Sequence, residues 1–366
     1  MKKLIRDYEL IKNNYFTKKY PISLVHFVTN RCNARCSFCF IDFDNPNTFR
    51  NELTLEEIEK FSKTLGPSIQ NINLTGGEPF ARKDFTEICK IYLKNTNIRS
   101  LFITSNGSLP ERINKFLEEL AERNSDKKFI FSFSIDNIPS KHNKIRKIKN
   151  LFQDCLKSYQ IVNSISENCF ANISITVSLE NYKDIDEIYY ELLNKYNVKA
   201  ITACLVRDEG VYKTPPEDKK KILEAYENLV NKIKKDTNNG ILKGYKPSSI
   251  QGRMMNKKNE IMYQNIISTY LEPHFISQCF AGSLFGIISA DGKVYPCEIL
   301  KDSIGDLRKY DMNFLNLWGD HLAQKTRKWI KDTNCNCCYE CAWSFNILGN
   351  MRYQKDLILA AIGKGK

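Results

Sequence analysis

Three cysteines, Cys32, Cys36 and Cys39, lie near the start of the chain. Three residues separate the first two, and two residues separate the second from the third. Thiolates spaced this closely cannot all project from a regular strand, but a loop can fold them around one metal centre. Three ligands leave one coordination position of an iron–sulfur cluster free to bind a substrate or cofactor. A zinc loop is the alternative, although zinc sites close with four ligands and no suitable histidine stands nearby.

The segment from Cys32 to Cys39, with Phe38 before the last cysteine, resembles the C-x3-C-x-aromatic-C signature of the radical SAM superfamily. The resemblance implies that Cys32, Cys36 and Cys39 hold a [4Fe–4S] cluster whose open iron binds S-adenosylmethionine. It also implies reductive cleavage of that cofactor to a 5′-deoxyadenosyl radical, which abstracts a hydrogen atom from the substrate. Phe38 is then expected to shield the cluster.

Four further stretches match the same superfamily, and each is implied to contact the cofactor. Gly76-Gly77-Glu78-Pro79 matches its GGEP motif, in which glycines permit close backbone approach and a carboxylate suits the methionine ammonium group. Polar residues at two strand ends and one arginine match ribose-binding or carboxylate-binding positions. The implied cofactor-binding residues are Phe38, Gly76, Gly77, Glu78, Pro79, Ser105, Asn106, Ser134, Asp136 and Arg146.

A second group of cysteines lies toward the end of the chain. A hairpin turning at Asp291-Gly292 is predicted to bring Cys279 and Cys297 together. The layout resembles the SPASM and twitch extensions, which hold auxiliary iron–sulfur clusters. Because a full SPASM domain uses eight cysteines and six remain here, one auxiliary [4Fe–4S] cluster is expected; a structural zinc is the alternative. Its ligands are expected among Cys279, Cys297, Cys335, Cys337 and Cys341, with Cys338 as an alternate.

Four other cysteines, Cys89, Cys155, Cys169 and Cys204, fall inside helix or strand patterns with apolar neighbours. Single buried cysteines behave as small hydrophobes, so these are predicted to lie in the core. Cys204 on the last predicted strand is the one candidate for a thiol that donates a hydrogen atom to a substrate radical. Substrate contacts are expected just past that strand, at Arg207, Asp208 and Glu209.

The elements that must position these residues alternate between strand and helix. Six strands are predicted from about residue 22 to residue 206, separated by helices, one of which opens with a capping box at Thr54 and Glu57. This alternation indicates βα units and a parallel sheet, with the site at the carboxyl ends of the strands. The strand and helix periodicity alone is compatible with both a doubly wound sheet and an incomplete barrel.

The family resemblance selects the second: an α/β chain with a partial (β/α)6 TIM-like barrel, followed by a small Cys-rich α+β twitch/SPASM-like domain. We expect an N-terminal extension at 1–21, the barrel at 22–212 and a helical linker region at 213–275. The auxiliary-cluster domain is expected at 276–345 and a C-terminal tail at 346–366.

Composition narrows the class of protein further. The 366 residues are 42% hydrophobic and 27% charged, which excludes a disordered or collagen-like chain. The net charge is +13, but no compact Arg-rich run with interleaved aromatics accompanies it, so a nucleic-acid partner is not expected. Neither a secretory signal nor a transmembrane segment is visible. A cytoplasmic protein is therefore expected, in which clustered cysteines bind metal.

The resemblance to proteins with such extensions implies an oxidative modification of a peptide or small molecule, assisted by the auxiliary cluster. The resemblance also implies an electron donor such as flavodoxin or ferredoxin. The alternative is a non-enzymatic, zinc-stabilised module that binds nucleic acid or another acidic partner through its positive charge.

Overall fold

The structure, a computed structural model, describes residues 2–244 and 249–363. The strands of these residues form one sheet. They are β1 (Ser23–Thr29), β2 (Asn71–Gly76), β3 (Ser100–Ser105), β4 (Lys128–Ser134), β5 (Cys169–Val177), β6 (Ile201–Leu205), β7 (Phe285–Ile288), β8 (Lys293–Tyr295) and β9 (Gly305–Asp306). Their order across the sheet is β6-β5-β4-β3-β2-β1-β7-β8-β9.

Helices separate the strands along the chain. They are α1 (Lys2–Lys12), α2 (Leu55–Ser62), α3 (Phe85–Asn95), α4 (Pro110–Leu120), α5 (Pro139–Arg146), α6 (Leu151–Ile165), α7 (Ile185–Tyr190), α8 (Pro216–Asn238), α9 (Ile250–Tyr270), α10 (Phe314–Gly319), α11 (His321–Asp332), α12 (Glu340–Gly349) and α13 (Met351–Ala361). In the described ranges, none of them combines the length and apolar character that crossing a membrane requires.

The first six strands run parallel, and each pairs with the next in chain order. The sheet does not close: β6 pairs with β5 alone, and β1 pairs with β7 on its other side. The α/β class and the incomplete barrel predicted from the sequence are therefore confirmed. All strand carboxyl ends of this barrel face the same way, so their loops meet at one rim.

The two faces of the barrel sheet differ in chemistry. The side chains on the outward face of the sheet are apolar and pack under the helices. Leu74, Ile103 and Phe131 are examples, and all three are completely buried. Phe131 and Phe80 stack there with ring centroids 6.3 Å apart. The inward-facing positions are mainly polar and border a cavity instead of a packed core. These polar positions are Asn71, Asn73, Thr75, Ser100, Thr104, Ser132, Ser134, Asn172, Ser174, Thr176, Thr202 and Cys204.

The C-terminal hairpin is part of the barrel sheet. β7 and β8 pair antiparallel around Asp291-Gly292, as the sequence predicts, with Ile288 opposite Val294. β7 also pairs parallel with β1, and Ser23 lies opposite Phe285. The sequence analysis expects a small domain beginning near residue 276; the structure shows that this region shares the sheet with the barrel. The exact domain boundaries remain a prediction.

The region around α5 also differs from the sequence prediction. The sequence pattern predicts a single helical stretch over residues 148–162. The structure has α5 ending at Arg146 and α6 beginning at Leu151. Lys147 and Asn150 between them have φ of 56° and 62°, in the left-handed region that interrupts a helix. The break allows Arg146, the last residue of α5, to point into the barrel rim.

Arg308 joins the C-terminal strands to the first barrel helix. Thr54 and Glu57 form the predicted capping box of α2. The Arg308 guanidinium donates to both Glu57 carboxylate oxygens, at 2.6 and 2.9 Å, and to the carbonyl oxygens of Asp291 and Asn51 at 2.7 and 3.1 Å. A two-pronged carboxylate contact of this kind is worth more than a simple surface ion pair.

We predict that Arg308→Gln lowers the thermal unfolding midpoint by a few degrees, which corresponds to about 1–2 kcal/mol. Hydrogen bonding from Arg308 is the first cause that lowers the pKa of Glu57 in the folded protein. The stabilisation is therefore complete above the ordinary pKa of glutamate and is lost as pH falls through the lowered folded value. Calorimetry from neutral to acid pH should show the two proteins converge. Arg123→Gln, an exposed arginine, is the control; an equal loss in both variants would contradict the prediction.

Candidate active site

The three cysteines of the first motif lie in the loop that follows β1, at the barrel rim. All three thiols are partly buried, and burial raises their pKa values, that of Cys32 to about 11. The thiols of Cys36 and Cys39 interact electrostatically with that of Cys32. The backbone of the loop is tied to the end of α5, since Arg35 N–H donates to the Arg146 carbonyl at 3.1 Å.

The spacing of the thiols can be compared with what different metal centres need. Among the described residues, no three Cys, His, Asp or Glu side chains lie close enough to share a single metal ion. Because a cluster of four irons separates its thiolate ligands further than one ion does, three thiols that are near without converging fit an iron–sulfur cluster better than a zinc ion.

The Gly76-Gly77 turn at the end of β2 packs directly on the cysteine loop. Gly77 N–H donates to Thr29 O at 2.8 Å, and the next N–H, of Glu78, donates to Arg31 O at 2.9 Å. A β-carbon on Gly76 would lie 2.0 Å from Thr29 O, and one on Gly77 would lie 2.2 Å from Arg31 O. The glycines are thus required here by backbone packing against the loop, in addition to any approach of a ligand.

Glu78 is fully buried and engaged with the protein itself. Its carboxylate accepts hydrogen bonds from Phe80 N–H at 3.0 Å, Ser105 Oγ at 2.9 Å and Asn106 N–H at 2.7 Å. Burial raises the pKa of this carboxyl to about 7, although the hydrogen bonds oppose that rise. Glu78 therefore joins the ends of β2 and β3 from behind the rim. The sequence analysis expects it at the cofactor; that role is untested.

Arg146 faces the rim and is held by Asp136. Arg146 Nε donates to Asp136 Oδ2 at 2.7 Å, and both residues are buried. Burial acts to lower the pKa of Arg146, but the charge of Asp136, the hydrogen bond to Asp136 and the nearby Cys36 and Cys155 thiols together raise that pKa. The guanidinium carbon lies 5.7 Å from the centroid of the Phe38 ring. The predicted cofactor residues Arg146 and Phe38 are therefore brought together beside the cysteine loop.

A cavity of about 2900 Å³ occupies the barrel interior and reaches the rim. The predicted residues divide by their position around it. The side chains of Glu78, Pro79 and Asp136 lie behind its wall. The predicted residues that line it are Cys32, Cys36, Cys39, Phe38, Gly76, Gly77, Ser105, Asn106, Ser134, Arg146, Cys204 and Cys341.

Cys204, the candidate hydrogen donor, lines the cavity from β6. Its Sγ lies 3.4 Å from Ser174 Oγ on the neighbouring strand. Burial, followed by the nearby charge of Glu340, raises the pKa of this thiol to about 12, so it stays protonated at neutral pH. Cys89, Cys155 and Cys169 are buried among apolar side chains, as the sequence predicts.

The thiols of the second cysteine group lie near the amino end of β1. Cys279 and Cys297 pack with Ile22, which precedes that strand. The thiol of Cys337 interacts electrostatically with those of Cys279 and Cys297, and the Cys335 thiol does so with Cys297. Cys341 packs on the same apolar cluster. Cys338 packs on the barrel core, with Glu340, Glu209 and Asp208 as charged neighbours, and its thiol also interacts electrostatically with that of Cys337.

A charged group lies between the second cysteine group and the rim. Arg207 forms an ion pair with Glu298, and its guanidinium carbon lies 4.6 Å from the centroid of the Tyr339 ring. Glu340 accepts a hydrogen bond from Leu205 N–H at 3.0 Å. The sequence analysis singles out Arg207 but misses Glu298 and Glu340. In the sequence, only their adjacency to Cys297 and Cys341 distinguishes Glu298 and Glu340 from other glutamates.

An incomplete α/β barrel with a three-thiol loop after its first strand defines a class of iron–sulfur proteins, and two domain families match this chain. Residues 27–192 match the radical SAM superfamily, and residues 279–342 match an iron–sulfur cluster-binding domain called SPASM. Residues 27–192 are therefore a radical SAM domain, and residues 279–342 are a SPASM-type iron–sulfur domain. The cofactors that these domains bind are S-adenosylmethionine, a [4Fe–4S] cluster and auxiliary iron–sulfur clusters. That the auxiliary clusters number one remains a prediction.

Relatives of established function align over different lengths. A GTP 3′,8-cyclase of Photorhabdus laumondii is 38% identical over 86 residues, which is 23% of this chain and only 26% of that protein. A GTP 3′,8-cyclase of Aquifex aeolicus is 27% identical over 77% of this chain and 82% of its own. An Fe-coproporphyrin III synthase of Methanosarcina barkeri is 24% identical over 93% and 88%.

Solved structures with the same fold include native anSMEcpe with bound AdoMet, at 18% identity and a TM-score of 0.60, covering 94% of this chain and 98% of that one. Another is Streptococcus suis SuiB bound to the precursor peptide SuiA, at 13% identity and a TM-score of 0.56. That match covers 88% of this chain and 70% of SuiB. At these identities the likeness concerns the fold.

We predict that Gly77→Ala weakens cluster binding at the first cysteine loop, because the new methyl group would overlap Arg31 O. Iron analysis after anaerobic reconstitution should show a loss of up to about four irons per chain. Gly319→Ala is the matched control, since a β-carbon there meets nothing within 4 Å. Equal iron content in the two variants would show that the loop tolerates the side chain.

We predict that Cys279→Ala removes the irons of the auxiliary site, about four per chain, whereas Cys338→Ala retains them. The reason is that Cys279 lies within the second thiol group and Cys338 packs on the barrel core. Iron and sulfide analysis, with the visible absorption of the reconstituted proteins, measures the difference. Loss of iron from the Cys338 variant alone would reverse the assignment.

Proposed function

We propose that this enzyme reductively cleaves S-adenosylmethionine and modifies a peptide or small molecule oxidatively. When bound, the cluster and S-adenosylmethionine supply a 5′-deoxyadenosyl radical that abstracts a hydrogen atom from the substrate. The observation that carries the proposal is the placement of the Cys32, Cys36 and Cys39 thiols at one end of a large cavity. A thiol group bordering a substrate-sized space is the arrangement that this chemistry requires.

The residues around the thiols can orient a bound cofactor. The Arg146 guanidinium faces the cavity with its charge balanced by Asp136, so it is held in one orientation for a carboxylate. Asn106 Nδ2 donates to Asn33 Oδ1 at 2.9 Å and lies 3.9 Å from Cys32 Sγ. Asn106, Ser105 and Ser134 thus present polar groups beside the thiols. Glu78 and Asp136 act from behind as positioning residues.

The cavity has room for a large substrate. Its volume of about 2900 Å³ exceeds the roughly 300–1,000 Å³ of ordinary ligand pockets. Space therefore remains for a bulky molecule or a peptide segment after a nucleoside cofactor has bound. The SuiB and anSMEcpe structures contain peptides, and the aligned relatives act on GTP or make an iron porphyrin. Both substrate classes remain within the proposal.

The second thiol group and Cys204 extend the proposal. An auxiliary cluster at the other end of the cavity provides an acceptor for the electron that a substrate radical must lose in an oxidation. The protonated Cys204 thiol is placed to return a hydrogen atom where the product is not oxidised. Flavodoxin or ferredoxin would supply the reducing electron, and a cytoplasmic location suits 13 unpaired thiols.

The zinc-stabilised binding module has no support among these observations. Residues 27–192 match an enzyme superfamily, and the described cysteines do not converge on a single ion. No observation favours nucleic acid as a partner.

We predict that the anaerobically reconstituted protein forms 5′-deoxyadenosine from S-adenosylmethionine when dithionite is added, and that Cys36→Ala does not. The reason is that Cys36 belongs to the three-thiol loop and cannot be replaced by a methyl group as a ligand. Liquid chromatography of the nucleoside measures the outcome.

Cys89→Ala is the control for that experiment, because Cys89 is a buried core thiol on α3 and its loss should cost only about 1 kcal/mol of stability. This control should keep wild-type nucleoside formation. Wild-type amounts of 5′-deoxyadenosine from the Cys36 variant would disprove the site assignment.

A further inference from the structure

Strand β6 is an edge strand of the barrel sheet, because it pairs with β5 alone. The hydrogen bonds at the two ends of this pairing run from Ile173 N–H to Ala200 O, at 2.9 Å, and from Val206 N–H to Val177 O, at 3.0 Å. In a parallel pair, alternate residues of a strand bond to the partner strand. With the observed register, the even-numbered residues of β6 therefore bond to β5, and the odd-numbered ones turn their backbone groups to the open side.

The protein caps both ends of this open edge with its own groups. At the amino end, Lys199 O accepts from Lys243 N–H at 2.5 Å, and Lys199 N–H donates to the Tyr159 hydroxyl at 3.1 Å. At the carboxyl end, Leu205 N–H donates to Glu340 Oε1 at 3.0 Å. The edge is thus closed on either side of its middle section, which consists of two odd-numbered residues.

The middle section, Ile201 and Ala203, has no such partners. Within the described ranges, nothing bonds to the N–H or the C=O group of either residue. Ile201 is 5% exposed, Ala203 is 2% exposed, and both border the cavity. Because roughly nine in ten buried backbone groups in proteins are paired, four unpaired ones at neighbouring positions point to a ligand that supplies their partners.

We propose that Ile201 and Ala203 bind the backbone of an extended substrate peptide, which adds to β6 as a further strand. This inference rests on the proposed function, because it selects a peptide as the substrate of the same cavity. The N–H and C=O groups of the two residues repeat at about 6.6 Å, the two-residue repeat of a strand. A peptide backbone presents complementary groups at that repeat, and addition to a free sheet edge is a common mode of peptide recognition. A small molecule with one amide would pair with only one of the two positions.

The edge also determines which peptide side chain enters the cavity. In a strand pair, directly opposite residues project to the same face of the sheet. The peptide residue opposite Thr202 therefore projects with Thr202 and Cys204 into the barrel interior, which the three-thiol loop borders. Its two neighbours project to the side on which Ile201 and Ala203 pack in the hydrophobic core, so small residues are expected there.

Hydrogen–deuterium exchange of the wild-type holoenzyme with S-adenosylmethionine tests the proposal. The probes are capped tripeptides, acetyl-Ala-X-Ala-amide, with each of the common amino acids at X, added one at a time at millimolar concentration. Without a probe, the amides of Ile201 and Ala203 should exchange well before those of Thr202 and Cys204, which bond to β5. The tripeptide that binds most tightly, at about twice its dissociation constant, should slow the first two amides about threefold.

Two further probes separate strand addition from other kinds of binding. The same tripeptide with methyl groups on both alanine nitrogens lacks the donors for the carbonyl oxygens of Ile201 and Ala203, and N-methylacetamide supplies one amide only. Neither should slow the exchange at the concentration used for the tripeptide. Equal slowing by either probe, no slowing by any tripeptide, or exchange of the two amides as slow as that of Thr202 and Cys204 before a probe is added would each overturn the proposal.

The Ala203→Pro variant provides a second measurement. The proline ring replaces the free N–H and occupies the space of an added strand, and no bond to β5 is lost because this N–H faces the open side. The best tripeptide should raise the thermal midpoint of the wild-type protein and of the matched control Ala203→Gly, which keeps the N–H, but not that of Ala203→Pro. Undiminished stabilisation of Ala203→Pro would contradict strand addition. The exchange experiment on the wild-type protein does not depend on the folding of this variant.

The two proposals fail separately. Protection of Ile201 and Ala203 by a tripeptide, together with no 5′-deoxyadenosine from the wild-type protein, would overturn the proposed function and leave the peptide site in place. Nucleoside formation without protection by any tripeptide would do the reverse.

Discussion

The backbone contact between the Gly76-Gly77 turn and the loop after β1 is the constraint on which the rest of the site depends. The N–H groups of Gly77 and Glu78 donate to the carbonyl oxygens of Thr29 and Arg31, and neither glycine has room for a β-carbon. The next residue, Glu78, uses both carboxylate oxygens to hold the end of β3. The first three strand ends are thereby joined into one unit, and the cysteine loop takes its position from that unit.

The alternation of side chains across the barrel sheet explains why a cavity exists. Outward positions such as Ile72 and Leu101 supply the hydrophobic core under the helices, so stability does not require a packed interior. Inward positions carry hydroxyl and amide groups, such as Ser174 and Asn172, that tolerate contact with water or a polar ligand. Because β6 and β1 are unpaired with each other, the interior stays wide, and residues of α9 line the cavity.

Much of this arrangement can be predicted from the sequence. The strand and helix order, the capping box at Thr54 and the hairpin at Asp291-Gly292 depend on local patterns, and all are present. The polar inner face is also encoded locally, by Asn, Ser and Thr that alternate with apolar residues within the strands. The motifs at the strand ends do not indicate it. The pairing of β7 with β1 could not be predicted, because it joins segments about 260 residues apart through backbone hydrogen bonds.

The pairing of β7 with β1 also sets the separation between the two thiol groups. The three-thiol loop follows the carboxyl end of β1, whereas Cys279 and Cys297 pack with Ile22 at its amino end. A strand of seven residues spans about 20 Å, so Cys279 and Cys297 lie roughly that far from the three-thiol loop along β1. Because β7 is hydrogen-bonded to β1 in a fixed register, this separation cannot change without breaking the sheet. Cys36 and Cys341 both line the cavity, so a substrate within it lies between the two groups. The sheet thus fixes the positions of Cys279 and Cys297 relative to the three-thiol loop.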